Sequence, residues 1–314
     1  MKNNILITGS AGFMGLGLTS RLLKLSDSDD SKIVLLYHHD KPTNYLDMPR
    51  VVVVKGDLND YASLCDIISK YEINTIYHFA SDSILKRCFD NPVNAYEVNV
   101  MGTVNLLEAV RNVGVDTIKK IIVSTSSKVY GDTPAPYDEE TLLKPKHTYE
   151  CTKACQDIVA QNYFSSYNLP INIVRCTNLY GPNDPNASRV IPTTIKTINR
   201  KEKPQVYSGV KDAVREFVYI DDLVDAVLLI AEKADNGEVF CVGGLEAISI
   251  NALIEKICSL MGYDGEIETV EKLAFFQESK DQSIDDSKLR NLGWNPKFTL
   301  DRGLAECIKS EAYR

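Results

Sequence analysis

With 314 residues, 44% hydrophobic and 25% charged, the chain is long enough for about two domains, or for one large α/β domain with an appended lobe. Its 43 acidic against 35 basic residues leave a formal net charge of -8, which argues against a surface that tracks nucleic-acid phosphates or anionic lipid. No apolar run approaches the ~20 residues that span a bilayer, and Met1 to Ser10 enters a strand pattern directly, so a cytoplasmic protein is expected, with neither nucleic acid nor membrane as partner.

In chain order, Ile5 to Thr8, Ile33 to Tyr37, Val51 to Lys55, Thr75 to Phe79, Ile121 to Ser124 and Ile171 to Arg175 are short runs apolar on both faces, the pattern of buried parallel strands. Helical patterns lie between them, at Ala62 to Tyr71, Val93 to Val113 and Tyr149 to Tyr167. The alternation predicts an α/β fold with a doubly wound parallel sheet of the Rossmann type. After Leu179 the rhythm breaks at Gly181, Pro182, Pro185 and Pro192. Later elements, Phe217 to Ile220, Asp222 to Glu232, Val239 to Val242, Ser249 to Met261 and a segment around Trp294, read as a smaller C-terminal α/β lobe. The expected division is a dinucleotide-binding domain over 1–178, to whose sheet strands near 217–220 and 239–242 return, and a mostly substrate-binding lobe over 179–314. The acidic patch Ser26 to Ser31 reads as a solvated loop.

Strand Ile5 to Thr8 runs straight into Gly9-Ser10-Ala11-Gly12-Phe13-Met14-Gly15 and then a helix. Glycines there permit a tight turn and close approach of backbone to a pyrophosphate, while the helix N-terminus offers free N–H donors to the anion. Gly9, Gly12, Phe13, Met14 and Gly15 are therefore cofactor candidates, for NAD or NADP. An NAD site usually has an acidic residue at the end of the second strand to hold the ribose hydroxyls. Here that end reads Leu36-Tyr37-His38-His39-Asp40-Lys41, so either Asp40 reaches back or His38, His39 and Lys41 tolerate a 2′-phosphate, and NADP stays open.

Eight scattered cysteines include no C-x-x-C pair, and Cys151 and Cys155 have no third ligand at metal spacing, so neither metal nor disulfide framework is expected. Three pairs read Tyr-x-x-x-Lys: Tyr37/Lys41, Tyr149/Lys153 and Tyr207/Lys211. About one is expected by chance, so surroundings must choose among them. Only Tyr149/Lys153 follows a hydroxyl cluster, Ser124-Thr125-Ser126-Ser127, at a strand's carboxyl end, where open α/β sheets bind ligands. A helix starting near Tyr149 sets Lys153 one turn along the same face. A tyrosine of pKa near 10 is too weak a base at neutral pH, but an adjacent ammonium and an oxidised nicotinamide both favour phenolate. Ser126, Tyr149 and Lys153 are thus the candidate catalytic set, with Ser126 also touching substrate.

These motifs, together with Gly56-Asp57-Leu58, Ile76-Tyr77-His78-Phe79-Ala80, Asn99-Val100-Met101-Gly102-Thr103, Arg175-Cys176-Thr177-Asn178-Leu179-Tyr180-Gly181-Pro182, Arg215-Glu216-Phe217-Val218-Tyr219 and Leu292-Gly293-Trp294, closely resemble the extended short-chain dehydrogenases/reductases of the NAD-dependent epimerase/dehydratase family, UDP-sugar 4-epimerases included. The resemblance implies that Lys153 also binds the nicotinamide ribose, that Tyr149 touches the cofactor, that Asp57 and Leu58 contact adenine, and that Ala80 and Asn99 line the cofactor cleft. It further implies that Asn178 and Arg215 hold a substrate diphosphate and that Tyr207 meets the nucleotide base. Family members that dehydrate at C4 and C6 carry Asp-Glu where this chain has Ser127-Lys128, so that reaction is not expected. Other departures are Glu150 for glycine, Cys241 for asparagine, and Glu278-Ser279-Lys280 where an arginine usually stands before Asp281. The leading expectation is a nucleotide-sugar epimerase acting at C4 through a 4-keto intermediate. An NADPH-dependent keto-sugar reductase is the alternative, and a 4,6-dehydratase or a dinucleotide sensor ranks lower. The helices Val93 to Val113 and Tyr149 to Tyr167 resemble those that pair in the family's homodimers.

Overall fold

The computed structural model describes residues 3–25, 31–271 and 279–313; most of the acidic patch, 26–30, and Glu278 lie outside them. Twelve strands are described: β1 (Ile5–Thr8), β2 (Ile33–Tyr37), β3 (Val51–Lys55), β4 (Thr75–His78), β5 (Lys120–Ser124), β6 (Ile171–Cys176), β7 (Asn178–Tyr180), β8 (Gln205–Tyr207), β9 (Val214–Tyr219), β10 (Val239–Val242), β11 (Ala247–Ser249) and β12 (Glu268–Val270). The α-helices are α1 (Phe13–Leu25), α2 (Tyr61–Lys70), α3 (Leu85–Asp90), α4 (Pro92–Tyr96), α5 (Gly102–Val113), α6 (Thr148–Tyr167), α7 (Val190–Asn199), α8 (Ile220–Lys233), α9 (Ile250–Leu260), α10 (Ser287–Leu292) and α11 (Leu300–Lys309).

Seven strands form one sheet in the order β10-β6-β5-β4-β1-β2-β3, every neighbouring pair parallel. Alternate side chains divide between its two faces, as a strand's period of two requires. Ile5, Ile7, Ile33, Leu35 and Ile122 join one core with Leu18 of α1 and Leu223, Val227 and Ile230 of α8. Leu6, Val34, Leu36, Ile121 and Val123 join the other with Leu64 and Ile68 of α2 and Leu106 and Val110 of α5. Each such buried side chain contributes about 1.5–3 kcal/mol relative to exposure, which explains why runs apolar on both faces end up inside. The chain builds outward from β1 to β3 and then returns to β4 on the other side, which opens a crevice at the carboxyl ends of β1 and β4.

The expectation for 217–220 needs correction. Residues Val214–Tyr219 form β9 of a separate three-stranded sheet with β7 and β11, and Ile220 already begins α8. The position beside β6 is taken by β10, whose Val239 to Val242 pair with Ile173 to Cys176, so no edge remains for β9 to join there. The predicted single helix Val93 to Val113 is α4 and α5 joined by one wide π-type turn over Glu97–Met101. No helix among the described residues is long and apolar enough to cross a membrane.

Candidate active site

A cleft of ≈ 1320 Å³ runs over the carboxyl ends of the parallel strands and is lined from both lobes. At its N-terminal end the turn after β1 brings backbone against backbone. Gly9 has a φ of +66°, and a Cβ placed on it would lie 2.6 Å from the amide nitrogen of Ala80; one on Gly15 would run into the carbonyl oxygen of Gly9. The Gly12 N–H donates to the Gly9 oxygen at 2.9 Å, closing the turn just before α1. A bare-backbone cradle opening on a 13-residue helix, with no acidic residue in its first turn, fits a dinucleotide pyrophosphate. Phe13, Met14 and Ala80 line the same end.

The acidic residue missing from the end of β2 arrives from the loop after β3. Asp57 Oδ2 lies 3.4 Å from His38 Nε2, and both line the cleft with Leu58. Sequence spacing from β2 could not locate it, because parallel pairing of β2 with β3 is what brings the two loops together. Tyr37 also lines the cleft, whereas Lys41 is not among the lining residues.

Ser126, Tyr149 and Lys153 come together in the middle of the cleft. Ser126 leaves β5 in extended conformation and caps the following turn, its Oγ accepting from the Lys128 N–H at 3.2 Å. Tyr149 and Lys153 stand in the first turns of α6, where Lys153 Nζ donates to the Ser124 carbonyl at 2.9 Å and to Gln156 Oε1 at 2.8 Å. Burial pushes the Lys153 ammonium down to about 8, because an interior of low polarity disfavours its charge. The Tyr149 hydroxyl is carried on a buried residue. Burial raises its pKa well above the ordinary tyrosine value, and the downward pulls of a hydrogen bond with Ser126 and of the Arg189 charge do not offset it. Lys153 gives two of its three ammonium protons to Ser124 and Gln156.

Asn99, expected to line the cleft, does not. It is wholly buried behind the wall, accepting from the Asp82 N–H at 2.6 Å and donating to Thr152 Oγ1 at 2.9 Å, so it fixes the wall loop against α6. Asp82 in turn holds Arg87 at 2.7 Å. Tyr207 sits on β8, 40% exposed and apart from the residues that line the cleft. Asn178 and Arg215 do line it, oriented by the Glu216 and Val214 carbonyls at 3.1 and 2.7 Å. Arg189, which no sequence pattern marks, also lines the cleft, held at 2.8 Å by buried Asp184 at the start of α7.

The departures from the family pattern now have addresses. Lys128 reaches from the cleft wall to Gln282 Oε1 at 3.3 Å. Glu150 is buried beside the Tyr149 helix start, 2.9 Å from His147 Nε2 and accepting the Lys146 N–H at 2.9 Å. Cys241 lies 3.0 Å from the Tyr130 hydroxyl in the core, away from the cleft. Among the described residues no group of His, Cys, Asp and Glu could hold a metal ion.

Comparison with known proteins agrees with this geometry. A family model described as GDP-mannose 4,6 dehydratase matches residues 6–307. The low-salt glycan biosynthesis protein Agl12 of Haloferax volcanii is 30% identical over 312 residues, which cover 97% of each chain. Of solved structures, dTDP-glucose 4,6-dehydratase of Bacillus anthracis in complex with NAD matches with a TM-score of 0.87 and 28% identity, over 98% of this chain and 96% of that one. The UDP-glucose 4-epimerase of Thermotoga maritima with UDP-glucose matches with a TM-score of 0.87 and 25% identity, over 98% and 97%. A glycine cradle, a Ser-Tyr-Lys set and a match over nearly the whole length lead to one conclusion: the chain belongs to the GDP-mannose 4,6 dehydratase family, among the NAD-dependent epimerases and dehydratases of the extended short-chain dehydrogenase/reductase type.

Proposed function

We propose that the protein is an NAD-dependent nucleotide-sugar epimerase that inverts C4 through a 4-keto intermediate, acting as a cytoplasmic homodimer. The observation that carries the reading is the Ser126, Tyr149 and Lys153 set combined with Ser127 and Lys128. The first three serve proton transfer at a sugar hydroxyl. Ser127 and Lys128 stand where elimination of water would need a carboxylic acid and its base. Asp57 beside His38 supports NAD over NADP, since a carboxylate there binds ribose hydroxyls and repels a 2′-phosphate.

NAD held on the glycine cradle would supply a reversible hydride acceptor. Tyr149 moves the hydroxyl proton and Ser126 shares it by hydrogen bonding. Lys153 supplies the positive charge that a phenolate needs, against the burial that raises the Tyr149 hydroxyl. Asn178, Arg215 and Arg189 would hold the substrate's anionic diphosphate, with Arg as the bidentate partner, and their presence in the cleft lining supports this. Exposed Val93, Tyr96, Met101 and Ile158 on α4, the turn after it and α6 support pairing of these helices in the dimer, and sedimentation showing monomer alone at micromolar concentration would reject it.

The test is to incubate the protein with UDP- and dTDP-hexoses and follow the sugar by NMR. C4 inversion with no net change in cofactor is expected, and it should fall about a thousandfold in Tyr149→Phe. A 4-keto-6-deoxy product would overturn the reading in favour of a dehydratase; stoichiometric NADPH oxidation with keto-sugars and no inversion would favour the reductase.

A further inference from the structure

Lys153 belongs to a buried hydrogen-bond network whose proton positions can be worked out atom by atom. The Thr103 hydroxyl has one proton and lies 2.7 Å from the Asn99 carbonyl, which can only accept. Its oxygen must then accept from both remaining neighbours, Gln156 Nε2 at 2.9 Å and His78 Nε2 at 2.9 Å. His78 accordingly carries its proton on Nε2, and its Nδ1 accepts from the Thr8 hydroxyl at 2.7 Å. With its amide nitrogen committed to Thr103, Gln156 is locked in one orientation and presents only its Oε1 to Lys153, at 2.8 Å. Thr8, His78, Asn99, Thr103 and Gln156 are all fully buried, so no water competes for these bonds.

The consequence falls on Lys153. Of its three ammonium protons one goes to Ser124 and one to Gln156, which leaves the third for the cleft that the residue lines. The groups that face it are Cys88 from α3, Cys176 from β6, His78 from β4 and Asp157 from α6, and Tyr149 lines the same cleft. Asp157, the one carboxylate among these, is already engaged by Arg175 at 2.9 Å.

We propose that Gln156 is a positioning residue for the reaction. Its locked neutral amide aims the Lys153 ammonium at the cofactor and at Tyr149, and it withholds the carboxylate that would otherwise claim the lysine's charge. This rests on the reading of Lys153 as part of the proton-transfer set.

Isothermal titration of the purified protein with NAD from pH 6.5 to 10 tests the proposal without any sugar. In the native protein NAD affinity should fall above about pH 8, as Lys153 loses its proton. Gln156→Met, which keeps the volume and removes the acceptor, should weaken NAD binding about tenfold at pH 7. Gln156→Glu supplies a charged partner that favours the ammonium and should move the fall upward by about one pH unit. Should Gln156→Met not fold, the isosteric Gln156→Glu carries the test by its pH profile, which a purely structural role would leave in place. Native affinity and an unchanged profile in the Gln156 variants overturn the positioning role. If Lys153→Met itself binds NAD and inverts sugars as the native protein does, the reading of Lys153 fails instead.

Discussion

The two ends of the cleft are made of different material. At the β1 end the ligand surface is backbone, brought together by glycines whose missing Cβ atoms are filled by Ala80 and by the turn itself. At the far end it is side chains, Arg87, Lys128, Asn178, Arg189 and Arg215, each held by one or two hydrogen bonds or ion pairs. A backbone surface changes only if the fold changes. A side-chain surface changes by substitution, so one fold can keep a cofactor and exchange substrates. The solved relatives fit this division, since one is a dehydratase with NAD and another a 4-epimerase with UDP-glucose at the same TM-score.

If the contrast holds, the β1 end should be the costlier to disturb. The largest effect is expected from acid. Burial drives the His78 imidazole down to about 3 from 6.5, so the unfolded chain binds a proton near neutrality that the folded one refuses. The stabilisation is complete above pH 6.5 and drains as the pH falls towards 3, by on the order of 4 kcal/mol in total. Urea melts of the native protein across that range should show the loss, and His78→Asn should flatten it. Next comes Gly9→Ala, which puts a side chain at positive φ against the Ala80 backbone: a stability loss of about 3 kcal/mol and no measurable NAD binding are expected in melts and calorimetry. The smallest effect belongs to the other end. Arg189→Gln should raise KM for the nucleotide sugar by about tenfold, with Tm unchanged within about 2 °C. An Arg189 variant that unfolds, or a Gly9 variant that binds NAD normally, would break the contrast.

The same division explains what was readable in the sequence. All seven main strands, Val239 to Val242 included, and the glycine turn announce themselves, because burial on both faces and positive φ each demand particular residues over short stretches. The pairing of Tyr149 with Ser126 was also legible, since a strand's end and a helix's first turn are local features. Asn99 was misplaced because a motif says which residue is needed and not which way it faces; only packing against Asp82 and Thr152 turns it from the cleft. The ionisation of Tyr149 is not a local property either. It is a balance of burial against groups drawn from β6, the turn after β5, the α7 start and α3, which no single stretch contains. Arg189 and Gln156 had no local signature at all. Their positions are set by Asp184 and Thr103, residues 5 and 53 positions away in the chain.

The place of β10 has a consequence for how the protein can be cut. The chain leaves the main sheet after β6, builds β7 to β9 and α7 to α8, and only then supplies the strand that covers the β6 edge. A protease nick near residue 185 would therefore yield an N-terminal fragment lacking its last strand, and a C-terminal one carrying that strand away as an orphan. Neither piece keeps the seven-stranded sheet whole, so the two fragments should stay associated after cleavage and part only on denaturation.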